Sequence, residues 1–77
     1  MMVVYAVHDV KADTWSFPQV SPTIASAVRD FKALRSRPGV PGRDLECVYV
    51  AEWLSDKGEL HPVERAVLVN ADPEPES

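Results

Sequence analysis

The sequence predicts an α+β domain: a small antiparallel β-sheet of three to four strands packed on one α-helix, in the order β-β-α-β-β. Three observations carry this reading. Met2 to Val10 and Leu45 to Leu54 are rich in β-branched and aromatic residues, which suit a pleated, half-buried surface. Residues 24–34 instead repeat apolar side chains at helical spacing. Turn-forming residues separate these stretches at Lys11-Ala12-Asp13, at Arg37-Pro38-Gly39 and at Ser55-Asp56-Lys57-Gly58.

The first strand places Val3, Tyr5 and Val7 on one face and Val4, Ala6 and His8 on the other. Both faces are apolar enough for a central or dimer-covered strand. Trp15 and Phe17 then alternate with Thr14 and Ser16 as a short second strand. Pro18 has no N–H for a ladder, so that strand is short or lies at an edge. Ser21-Pro22 predicts a helix start, with Ser21 as cap and Pro22 in the first turn. Ile24, Ala27, Val28, Phe31 and Leu34 form the helix's apolar stripe. After the Pro38–Gly42 loop, Leu45, Cys47, Tyr49, Ala51 and Trp53 fall on one face of the next strand. Glu46, Val48, Val50, Glu52 and Leu54 fall on the other. A hairpin turn at Gly58 leads into a return strand from Leu60 to Val69, kinked or edged at Pro62.

Residues 1–70 therefore read as one domain and 71–77 as an acidic, Pro-rich, disordered tail. A chain of 77 residues supports only a modest core, since such chains bury about 60% of their unfolded surface. Cys47 is the single cysteine, so no intrachain disulfide can help, as suits a reducing compartment. His8, His61 and Cys47 lack zinc-site spacing, so no metal and no cofactor is expected. Self-association remains as a source of stability, which predicts a homodimer or higher homo-oligomer. No apolar run approaches the roughly 20 residues of a membrane span. The apolar start has no basic segment ahead of it and reads as a strand rather than a signal peptide.

Catalytic chemistry is not apparent. His8 and Asp9 are adjacent in a strand and point to opposite faces, so they form no local dyad. Cys47 reads as a small core residue, because a reactive thiol needs an electropositive setting. Glu46 and Glu52 share a strand face as solvated carboxylates. No phosphate-binding loop, dinucleotide fingerprint or His-rich motif is present. The reading is no enzyme and no small-molecule substrate.

The charge is more informative. The net value is −4, yet residues 28–43 set Arg29, Lys32, Arg35, Arg37 and Arg43 against Asp30 alone, a local +4. The remainder sets three cations against eleven acids, a local −8. Arg29, Lys32 and Arg35 recur every third residue of the predicted helix, and Arg37 and Arg43 follow in the loop. Such a stripe can track a phosphate backbone or form a solvated outer face. Trp15, Tyr49 and Trp53 offer rings for base stacking. Tyr49 and Trp53 share a face with Leu45 and Cys47, which favours burial, so Trp15 is the aromatic expected to be exposed. The candidate nucleic-acid contacts are Arg29, Lys32, Arg35, Arg37, Arg43 and Trp15.

Several segments together resemble a known family. Tyr5-Ala6-Val7-His8-Asp9 with Lys11-Ala12 is similar to its Tyr-x-Val-x-Asp strand. Phe17-Pro18 and Ser21-Pro22-Thr23 stand where it enters its helix, and Ala27, Arg29 and Phe31 match an Ala-x-Arg-x-Phe helix core. Asp44-Leu45, Val50, Glu52 and Trp53 resemble its next strand, which ends Gly-Glu-Phe. Gly58-Glu59-Leu60 and Pro62 resemble its Gly-Glu-Ile-x-Pro hairpin. The family is the small non-structural DNA-binding protein of gokushovirus-type microviruses, single-stranded DNA phages. The resemblance spans roughly residues 3–69, with Ala51 where the family has Gly and Trp53 where it has Phe or Tyr. It implies a phage accessory protein in the cytoplasm of the infected bacterial host, with single-stranded DNA as partner during replication or packaging. Of the basic residues, Arg29 alone matches a family position. The alternative from the residues is a homodimeric module that binds a phage or host protein without nucleic acid.

Overall fold

The computed structural model describes residues 1–73. Its elements are β1 (Met2–Asp9), β2 (Thr14–Trp15), β3 (Gln19–Ser21), α1 (Ile24–Arg35), β4 (Leu45–Leu54) and β5 (Glu59–Val69), with a 3-10 turn over Gly42–Asp44. All strand pairings are antiparallel, and the fold is α+β as predicted. The sheet runs β2-β1-β4-β5, and β3 pairs with β1 beyond β2 on the same edge. β1 is thus a central strand, which accounts for its two apolar faces.

Two elements depart from the sequence reading. The second strand stops at Trp15, and a further strand, β3, forms over Gln19–Ser21. Its pairing with Val3–Tyr5 holds Ser21 extended, so Ser21 cannot cap the helix and Pro22 is not in it. The cap moves to Thr23. The Thr23 hydroxyl accepts from the Ser26 N–H at 3.1 Å, and the Ser26 hydroxyl accepts from the Thr23 N–H at 3.2 Å. This is a reciprocal capping box with Ser in place of the usual Glu or Gln.

The helix buries Ala27 and Phe31 against Val3, Tyr5, Val7, Leu45 and Cys47, with Leu34, Val40, Tyr49, Leu68 and Val69 packed around them. Ile24, expected in this stripe, is 47% exposed. It lies in the first turn, where buried Ser21 occupies the interior and bonds its hydroxyl to that of Ser26. Past the helix, the Pro-Gly loop returns so closely that a Cβ on Gly42 would collide with the Arg35 carbonyl oxygen. Only glycine fits there. At the hairpin, Gly58 takes φ 65° while its N–H donates to the Leu54 carbonyl at 2.8 Å.

A bulge resets the faces of β4. Tyr5 pairs with Tyr49 but Val4 pairs with Ala51, so Val50 is an extra residue. Cross-strand partners share a face. Leu45, Cys47 and Tyr49 therefore face the helix, whereas Ala51 and Trp53, expected on the same face as these three, lie on the other side. The same shift separates Glu46, partner of His8, from Glu52, partner of Val3. Tyr49 and Glu52 are brought together instead, and the phenol donates to the carboxylate at 3.1 Å.

The face away from the helix carries buried Val4, Ala6, Val48 and Ala51. The Arg65 side chain of β5 reaches over it. The register of β5 with β4 jumps from Pro62 to Ala66, so Val63, Glu64 and Arg65 leave the ladder. Arg65 then stands over the Trp15 ring at 5.1 Å, on the far side of the sheet. Ala71–Pro73, at the start of the predicted tail, has no regular structure. The rest of that tail, 74–77, lies outside the described residues.

Candidate nucleic-acid interface

Helix geometry sets where the cations go. At about 100° per residue, a step of three winds back by about 60°, so Arg29, Lys32 and Arg35 sweep about 120° around α1. Arg29 and Lys32 are exposed on its outer side, and Arg37 is exposed just past its end. Arg29 lies 3.5 Å from Asp30, with its side chain 77% exposed, so the pair is weak and solvent-screened. Lys32 and Arg37 make no ion pair among the described residues. Arg35, at the inner end of the sweep, is half-buried, with its guanidinium 5.5 Å over the core ring of Phe31. It serves packing as well as charge.

Arg43 is engaged by the chain's own acidic end. Its Nε–H donates to the Asp72 carbonyl at 2.9 Å, and its second guanidinium nitrogen lies 3.8 Å from the Asp72 carboxylate. The Asp72 N–H donates to the Arg43 carbonyl at 2.8 Å. With Lys11, Val40, Pro41, Gly42 and Asp44, Arg43 lines an open hollow of about 320 Å3.

Trp15 is not brought to these cations. It is the register partner of His8, which lies on the face opposite α1. It is exposed, as expected, but its ring stacks on His8 with centroids 4.1 Å apart and planes 12° from parallel. With Arg65 over the ring as well, Trp15 belongs to an internal cluster. His8 anchors that cluster. Its Nδ1 is 2.8 Å from Glu46 Oε1 and its Nε2 is 2.9 Å from Asp13 Oδ1. The hydrogen bond to Glu46, and then that to Asp13, raises the imidazole pKa against the opposing effect of burial. Asp13 is presented from a left-handed turn residue, φ 53°, while Asp9 accepts from the Lys11 and Ala12 N–H groups inside the same turn.

The sequence reading missed this triangle, because Glu46 lies thirty-eight residues from His8. The strand alternation did carry a signal, since His8 and Glu46 stand at opposed positions of neighbouring strands. The two carboxylates sit on opposite ring nitrogens and do not converge on one point. Among the described residues, no group of three or more His, Cys, Asp and Glu is placed to hold a metal ion. Cys47 is fully buried, and burial pushes its thiol pKa up to about 11, which makes it a core residue as predicted. No helix among the described residues is long and apolar enough to cross a membrane.

Comparison with known families gives a match over nearly the whole chain. The Phage ORF5 protein family model aligns with residues 2–72, which takes in every strand and the helix. The chain belongs to the Phage ORF5 protein family. It is a phage protein, and the ORF5 match covers the basic segment and its Asp72 contact together. No curated protein and no solved structure matches this ORF5 family member.

Proposed function

We propose that this ORF5-family protein is a non-structural accessory protein of a microvirus-type phage. In this reading it binds single-stranded DNA during genome replication or packaging, as a homodimer or larger homo-oligomer, in the cytoplasm of the infected bacterium. The observation that carries the reading is the outer side of α1. Arg29, Lys32 and Arg37 are presented to solvent with little internal compensation, in a chain of net charge −4. Side chains so placed can release counterions from a phosphate backbone, the main source of affinity for nucleic acid. Arg35 and Arg43 extend the track, each with a second duty inside the fold.

The test is fluorescence anisotropy with a long labelled oligodeoxynucleotide at low salt. Saturable binding that weakens steeply with added salt is the expected result, and absence of binding at low salt removes the reading.

A second reading is favoured by the sheet face away from α1. Val20, Leu60 and Val67 are 52%, 58% and 47% exposed, and their strand registers place all three on that face. An exposed apolar surface of this kind suits a homodimeric module for a phage or host protein. It predicts a dimer by light scattering and co-purification of a defined protein partner, with no oligonucleotide binding.

A further inference from the structure

Ser16, Phe17 and Pro18 interrupt the sheet edge between β2 and β3. Pro18 has no N–H to donate, and Ser16 supplies the hydrogen bonds at the break. Its N–H donates to the Val7 carbonyl, and its hydroxyl accepts from the Val7 N–H, both at 2.9 Å. Phe17 is left outside the sheet, 87% exposed, with no ring or cation partner among the described residues. Its neighbours Ser16 and Gln19 line a hollow of about 300 Å3 between the sheet edge and α1, closed by Tyr5, Val7, Asp30 and Leu34.

The lining has the chemistry of a recognition site, apolar at Val7 and Leu34 and edged by a few polar groups. Those polar groups are open to solvent and little engaged within the fold. No hydrogen bond engages the Gln19 amide or the Tyr5 hydroxyl among the described residues. Among the described residues, the Asp30 carboxylate has only the long pair to Arg29. Burial, and then the charge of Asp30, raises the Tyr5 pKa, so the phenol remains a neutral donor. An amide that gives and accepts, a carboxylate that accepts and a phenol that donates together suit a planar heterocycle with a mixed hydrogen-bonding edge. The guanidinium beside Asp30 suits a phosphate attached to it.

We propose that this hollow, whose lining residues Ser16 and Gln19 flank the exposed Phe17 in the chain, is a nucleobase subsite. Phe17 stacks on one base of the single strand, Gln19, Tyr5 and Asp30 contact its edge, and Arg29 takes the adjoining phosphate. The proposal rests on the single-stranded DNA reading above and names the aromatic residue that reading lacks once Trp15 is engaged by His8 and Arg65.

The test titrates the full chain with labelled homo-oligonucleotides of each base, over a range of salt. Phe17→Ala is expected to weaken binding about five-fold or more, because base–aromatic stacking contributes that much per base. It should leave the salt slope at the wild-type value, since no phosphate contact is lost. Phe17→Tyr, which keeps the ring, should restore affinity. Asp30→Asn should change the ranking among the four oligonucleotides. If Phe17→Ala binds like the wild type while the helix cations still matter, the subsite is overturned and the DNA reading stands. If the wild type binds none of the four, both are overturned. If Phe17→Ala instead lowers the oligomeric state with affinity per chain unchanged, the Phe17 segment is an interface between copies and the subsite is overturned.

Discussion

The two faces of this small sheet handle charge in opposite ways. On the face away from the helix, His8 meets Glu46 and Asp13, and Arg65 stands over Trp15, which itself stacks on His8. There His8 is held between two carboxylates, and Arg65 rests on an aromatic ring. On the other side of the molecule, the outer surface of α1 presents Arg29, Lys32 and Arg37 with one long, exposed ion pair among them. Internal matching marks the first cluster as part of the fold's own stability. Its near absence at the second is the feature on which the proposed DNA-binding reading rests. Sequence alone ranked Trp15 with the helix cations, and the geometry assigns it to the other group.

Substitutions can break this contrast. The largest effect is expected from Arg29→Ala, Lys32→Ala and Arg37→Ala combined. Oligonucleotide affinity at low salt should fall by about ten-fold or more, with thermal stability close to wild type because all three side chains are exposed. Anisotropy and a thermal melt check both halves. Trp15→Ala should do the reverse. Loss of the His8 stack and the Arg65 contact should cost about 1–2 kcal/mol of stability, read by denaturant unfolding, with little change in DNA affinity.

A subtler effect concerns pH. His8 has a folded pKa raised above its ordinary 6.5, so the protonated ring is the form the fold favours. That stabilisation is complete below the unfolded value and is lost as pH rises through the raised folded value. The melting temperature should therefore fall as pH rises from the ordinary 6.5 through the raised folded value, and His8→Gln should flatten that dependence. The smallest effect is expected at the tail. Asp72→Asn frees part of Arg43, and oligonucleotide affinity should rise by roughly two-fold, within the range of an exposed ion pair.

Much of the fold was legible where period and punctuation agreed. Leu45–Leu54 and its hairpin were readable because ten residues with strand alternation end in a turn bearing Gly58. The helix was readable from Ala27, Phe31 and Leu34. β3 was not, because it is three residues long, flanked by Pro18 and Pro22, and held by pairing with β1 rather than by its own composition. The bulge at Val50 was equally hidden, and it reversed the facing of Ala51, Glu52 and Trp53. The basic segment was legible as charge. Which cations are compensated was not, because Asp72 meets Arg43, and Glu46 meets His8, only through the tertiary fold.

The most direct test of the contrast is the salt dependence of oligonucleotide affinity, measured for the wild type, the triple helix variant and Arg65→Ala. If the helix surface carries the phosphate contacts, the slope of log K against log salt should fall by about 2–3 in the helix variant and stay unchanged in Arg65→Ala. Equal slopes in all three proteins, or a fall with Arg65→Ala as large as that of the helix variant, would contradict it.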